Sequence, residues 1–161
     1  MTQTIVTAVL WFSALGSGLL AGLYFAFSAF IMTSLERIPQ AAGVAAMQSI
    51  NKVILSSAFM PMFWGTTLAS LALAVLGFLR WGEPGTLAML TGGVIYFVGM
   101  FVFTVIFNVP LNNALDAVDP ASTQTATVWA RYLKDWTFWN HVRTLACLLA
   151  SGLFIYAIAV K

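Results

Sequence analysis

VTAVLWFSALGSGLLAGLYFAFSAFIM, residues 6–32, runs for 27 positions without a charged side chain. As a helix it would be about 40 Å long, more than the roughly 30 Å hydrocarbon core of a bilayer requires. Lipid offers no partner for backbone N–H and C=O groups, so a spanning segment of this kind has to be helical. No basic residue precedes the run, and it exceeds a signal-peptide core, so it reads as a retained span.

The rest of the chain fits that solvent. Of 161 residues, 61% are hydrophobic and 7% charged, against about a quarter charged in a soluble domain. Three further apolar stretches, residues 53–79, 87–107 and 138–160, are long enough to cross. The expectation is an all-α, integral membrane four-helix bundle forming a single domain over residues 1–161. Short interfacial helices are expected in the two longer connections. Both termini and the turn RWGEPG (80–85) then share side A, and connections 33–52 and 108–137 share side B. Side B carries Arg37, Lys52, Arg131 and Lys134 against Arg80 and Lys161 on side A. The positive-inside tendency places side B in the cytoplasm. The scattered net charge of +2 gives no basic run and points away from nucleic acid. Cys147 is the sole cysteine and His141 the sole histidine, so neither a disulfide nor a closed metal site can be built from them alone.

Local signals fill in the connections. QAAGVAAMQSIN (40–51) reads as a short helix leading to the second span. Pro61 reads as an interruption of that span, freeing the Ser57 carbonyl. Asn108, before Pro110, reads as a cap at the end of the third span. Asp119 and Pro120 read as an N-cap and first helical residue. Trp129, Tyr132, Trp136 and Trp139 read as an interfacial aromatic belt. Ala14, Gly18, Gly22 and Ala26 recur every fourth residue, a ridge for close packing within the bundle or between protomers of a homo-oligomer.

No carboxylate lies inside a span, which argues against an ion-coupled carrier. The remaining polar residues gather at the side-B ends of the helices: Tyr24 and Ser28, Asn51, Asn108 and Asn112, and Asn140, His141 and Arg143. With Arg143 at zero on the helical wheel of the fourth span, Asn140 falls at about 60°, Thr144 at about 100° and His141 at about 160°. His141 and Arg143 are then two walls of one chamber rather than an ion pair. That arrangement requires the imidazole to lie beside the amides of Asn51, Asn108 and Asn112.

GLYFAFSAFIM (22–32), AMQSIN (46–51), FNVPLNNAL (107–115) and WTFWNHVRTLA (136–146) together resemble the anthrone oxygenase family, small four-span membrane proteins. The resemblance implies oxidation of an anthrone-type or phenolic aromatic by O2, with no cofactor or metal. In that reading His141 is the base and Arg143 steadies the oxyanion. Asn51, Asn108, Asn112, Asn140 and Ser28 supply hydrogen bonds, and Tyr24, Phe27 and Trp139 wall a slot for flat rings. Two alternatives stand beside it. One is a quinone- or haem-binding redox module, with His141 as the haem ligand. The other is a non-enzymatic accessory or assembly protein held by the small-residue ridge.

Overall fold

The computed structural model describes residues 3–122 and 125–160. Lys161, counted above with side A, lies outside them. Four long helices, α1 (Gln3–Arg37), α3 (Phe59–Leu79), α4 (Thr86–Asp116) and α5 (Thr125–Ala159), are long and apolar enough to cross a membrane. A fifth helix, α2 (Gln40–Ile54), links α1 to α3. The protein is an integral, multi-pass, all-helical membrane protein.

One end of the bundle gathers the start of α1, the 80–85 turn and the end of α5. Gln3, Arg80 and Thr86 border one surface cleft, and a methyl group on Gly85 would lie 3.0 Å from the Ala157 carbonyl oxygen and 3.4 Å from Val160. Gly82 and Gly85 take φ of +95° and +79°, which glycine adopts without strain. Close to this end α3 and α4 touch through glycine. A methyl group on Gly77 would lie 2.6 Å from the Thr86 carbonyl oxygen and 2.7 Å from the Leu90 nitrogen. One on Gly93 would run into the backbone of Ser70. Without a hydrophobic force between helices in lipid, small residues that admit close backbone contact supply the association. Behind these contacts lies one buried core, with Leu10, Leu73, Met89, Tyr96 and Phe154.

At the opposite end α4 and α5 continue past membrane depth and α2 packs across them. Here a second core forms around Phe27, Val44, Met47, Leu115, Trp129 and Trp136. Gly43 brings α2 against the Leu35 carbonyl and the Trp129 ring, where a methyl would sit at 2.6 and 3.2 Å. Gln48 donates to the Leu115 and Val118 carbonyls at 2.8 and 2.9 Å, filling acceptors left open where α4 ends. Lys52 pairs with Asp116 at 2.7 Å.

Both longer connections carry short helical segments as expected, and those of the second, Val109–Asp116 and Thr125–Arg131, run on continuously from α4 and into α5. Several local expectations are corrected. Pro61 does not interrupt a span: α3 begins at Phe59, so the proline sits in the first turn, where its missing N–H leaves no bond unmade. The Ser57 carbonyl accepts from Met60 at 3.2 Å, and Ser57 Oγ accepts from the Phe59 N–H at 3.2 Å. Asn108 does not end α4, since Pro110 is absorbed just after a π-helical segment, Thr104–Asn108, whose wider turns relax the clash with the preceding carbonyls. Asp119 closes a turn, accepting from Ala121 and Ser122, while α5 begins at Thr125 among the described residues. The expected belt is instead interior: Trp129, Tyr132 and Trp136 are buried and stacked in succession at 5.9 and 5.5 Å. Trp139 alone of the four is only half-buried.

Candidate functional site

Between the two cores lies a cavity of about 240 Å³. Its walls are mostly apolar, with Phe59, Phe63 and Phe101 toward the middle of the bundle and Met47 and Ile50 under α2. All four π-helical segments contribute to it: Phe27 in the first, Phe101 in the second, Thr104 in the third and Trp136 in the fourth. Such segments insert an extra residue into a turn and recur at functional sites because they re-aim the flanking side chains.

Among the described residues Arg143 is the one charged side chain on the cavity wall. It is only 5% exposed. No carboxylate pairs with it among the described residues; Asp116 pairs with Lys52 and Asp135 with Arg131. Aromatic faces and neutral oxygens hold it instead. The guanidinium carbon lies 4.4 Å from the centre of the Tyr24 ring and 5.1 Å from that of Trp136, a type of contact worth about 2 kcal/mol when desolvated. One terminal nitrogen donates to Asn140 Oδ1 at 2.8 Å and the other, weakly, to Thr104 Oγ1 at 3.4 Å. Nε has no acceptor. The group is fixed in place, and its five N–H donors are not all engaged.

Asn140 does its work behind the wall. Its amide nitrogen donates to the Tyr24 carbonyl and to Ser28 Oγ, both at 2.7 Å, which aims its oxygen at Arg143. Ser28 in turn faces Thr144 at 3.4 Å. The polar edge of the cavity is a relay across three helices. Asn51 of α2 donates to Tyr132 Oη of α5 at 3.3 Å, and Tyr132 donates to Asn112 Oδ1 of α4 at 2.8 Å.

The ten residues singled out from the sequence therefore divide. Tyr24, Phe27, Asn51, Asn112 and Arg143 line the cavity. Asn140 and Ser28 support Arg143 from outside it. Asn108 is buried and donates to the Trp136 carbonyl at 3.2 Å, steadying the turn that presents the indole. Trp139 stacks on Phe107 at 3.7 Å, outside the cavity. His141 is exposed on the outer surface of α5 and lines no part of the cavity. Two walls formed by His141 and Arg143 are thus not what the fold builds.

The reason is a wheel centred on the wrong arc. The buried face of α5 is set by Trp136, Arg143, Cys147, Ala150 and Phe154. These cluster within about 40° of Arg143, leaving His141 on the far side beside Leu145 and Leu148. Small residues at 146, 150 and 157 marked the packing face more reliably than polarity did. The sequence reading also missed Thr104, Tyr132 and Trp136 as site residues. Tyr132, Trp136 and Arg143 follow an i, i+4, i+11 stripe on one helix face, which was the available signal.

Among the described residues no three His, Cys, Asp or Glu side chains gather to hold a metal. The cavity wall carries no imidazole or thiol for a haem iron.

The anthrone oxygenase family model matches residues 52–153, more than half of the sequence. The chain belongs to the anthrone oxygenase family. The matched stretch contains α3, α4 and α5 through Leu153, hence Thr104, Asn112, Trp136, Asn140 and Arg143. The motifs at 22–32 and 46–51 lie N-terminal to it. No curated protein and no solved structure matches this anthrone oxygenase family member.

Proposed function

We propose that the cavity binds a flat, acidic, lipid-soluble aromatic of the anthrone type and that the protein oxygenates it with O2. The observation that carries this reading is Arg143, a buried guanidinium without a carboxylate partner among the described residues, set on the wall of an apolar cavity. A cation so placed stabilises an anionic guest far more than water would, because little solvent screens it.

Loss of a proton from the ring CH2 of an anthrone gives a delocalised anthrolate. That anion passes one electron to O2, and the radical and superoxide combine to form the C–O bond. Cleavage of the O–O bond with loss of the remaining CH2 hydrogen leaves the quinone carbonyl. Anthrone and O2 give anthraquinone and water, so no outside reductant enters. Arg143 holds the negative charge on the substrate oxygen, and Tyr24 and Trp136 hold Arg143. No carboxylate or imidazole lines the cavity. The substrate therefore binds as the anion, its proton released to water at the polar edge beside Asn51 and Asn112. Asn140 is a positioning residue, acting through Arg143.

The cavity end is assigned to the cytoplasmic side, with residues 33–52 and 108–137 facing inward, on the excess of Arg37, Lys52, Arg131 and Lys134 there. Oxygen uptake by the purified protein supplied with a hydroxyanthrone tests the chemistry. Arg143→Gln lowers kcat/KM by about 100- to 1,000-fold, as loss of an oxyanion donor does elsewhere, and Arg143→Lys recovers part of it. A wild-type protein that takes up no oxygen, or an Arg143→Gln variant as fast as wild type, refutes the proposal.

A further inference from the structure

The cavity has a buried floor and an exposed mouth. Arg143, Tyr24, Phe63 and Trp136 are buried, whereas Leu55, Trp64, Val105 and Val109 line the same space with 66, 47, 49 and 39% of their surface exposed. The four exposed residues come from the end of α2, the start of α3 and the outer half of α4. Leu55 precedes α3 and Trp64 is in its second turn; Val105 and Val109 are one turn apart on α4. The mouth is a slot between the start of α3 and the outer half of α4.

Its depth follows from helix rise. Trp64 is 15 residues from Leu79, and Val105 is 19 residues from Thr86. These spacings place Trp64 and Val105 about 22 and 28 Å from the closed end, within a hydrocarbon core of about 30 Å, and Val109, 23 residues from Thr86, about 34 Å away, just past its edge. By this count its inner part meets the acyl chains of one leaflet and its outer end the headgroup boundary. The polar edge, by contrast, is tied across three helices by Asn51, Tyr132 and Asn112 and lies under α2.

The slot is a consequence of packing. Gly77 and Gly93 draw α3 and α4 into backbone contact near the closed end. Toward the other end Phe63, Trp64 and Phe101 stand between the same helices, with Phe101 5.8 and 5.4 Å from the other two rings. The π-helical segments 97–102 and 104–108 re-aim α4 over this stretch.

We propose that the ligand enters and leaves sideways from the bilayer, through the slot between Leu55 and Trp64 on one side and Val105 and Val109 on the other. The inference rests on the cavity as the oxygenation site and narrows its substrate class. The ligand is a bilayer-dissolved, ring-bearing molecule with one acidic oxygen, which turns toward Arg143 while the apolar body follows through the slot.

The test uses the full chain in phosphatidylcholine vesicles. Quenching of its tryptophan fluorescence by a hydroxyanthrone reports association, and oxygen uptake is read in parallel. In the double variant Val105→Phe, Val109→Phe association slows about ten-fold or more, a change in access rate expected of a narrowed route. Leu149→Phe, on a lipid-facing surface away from the slot, leaves the rate as in wild type. Trp64→Ala, which widens the slot, speeds association and decides the matter should the double variant not fold. At fixed total hydroxyanthrone, added lipid slows association because the ligand is diluted within the membrane. Unchanged rates in the slot variants, or a rate indifferent to lipid content, overturn the lateral route. Binding without oxygen uptake overturns only the oxygenation reading, and no binding at all overturns both.

Discussion

At the end that holds the 80–85 turn, α3 and α4 meet through Gly77 and Gly93. Near the other end the same two helices face each other through Phe63, Trp64 and Phe101. One pair of helices therefore makes a seam at one end and a chamber at the other. The seam depends on the absence of side chains and the chamber on their bulk. Polar groups follow the same division. Toward the seam, Ser151 donates to the Ala14 carbonyl at 2.8 Å, while the hydroxyls of Ser13, Ser17 and Ser70 are buried without a partner among the described residues. At the chamber, polar side chains bind one another across helices and leave Arg143 donors over. Stability is concentrated in one half and the capacity to bind in the other.

That division can be broken at either end. The largest effect is expected at the chamber: Arg143→Gln costs the 100- to 1,000-fold in kcat/KM given above, about 2.7–4 kcal/mol. Thermal unfolding in detergent should show the seam intact. Next comes the seam itself. Gly93→Ala forces a methyl into the Ser70 backbone and should cost about 1–3 kcal/mol as overpacking, seen as a lowered Tm. Gly152→Ala, where a methyl would meet nothing within 4 Å, is the paired control and should hold or slightly raise Tm. A Gly93→Ala protein as stable as wild type would abolish the distinction between the halves. Third, Tyr132→Phe removes the hydroxyl shared by Asn51 and Asn112 and should weaken hydroxyanthrone binding by roughly 1–2 kcal/mol, measured by fluorescence quenching. The smallest effect is at His141. His141→Ala should leave oxygen uptake within about two-fold of wild type, the ordinary scale for an exposed site. A large loss there would return the imidazole to the chemistry.

The spans of the seam half were legible from residue types alone, because nothing but a helix satisfies a backbone in lipid. The close approaches at Gly77 and Gly93 were not, since the small-residue ridge that stood out in the sequence lies on α1. The chamber half was legible only in part. Arg143 and the amides of Asn51 and Asn112 announced themselves as polar groups with no place in lipid. The aromatic stripe of Trp129, Tyr132 and Trp136 did not, because an interfacial belt and a buried stack have the same composition and differ only in what covers them. The cover is α2, whose docking depends on Gly43 and Gln48 and on no pattern within α5. His141 was misplaced because polarity was taken as the mark of the inward face, when Ala146, Ala150 and Ala157 mark it. Pro110 was read as a stop because the π-helical turns that absorb it leave no trace in hydrophobic periodicity.

Those turns set a phase. Each expanded loop of backbone advances its helix by one residue more than a regular coil would, so everything beyond it is rotated by about 100°. Removing a single residue from 104–108 would let α4 relax into an unbroken α-helix. It would also swing Asn112 out of reach of Tyr132 while the span still crossed the bilayer. A shortened sequence of that kind would remain a membrane protein in every hydropathy plot and would have lost the rim of its chamber.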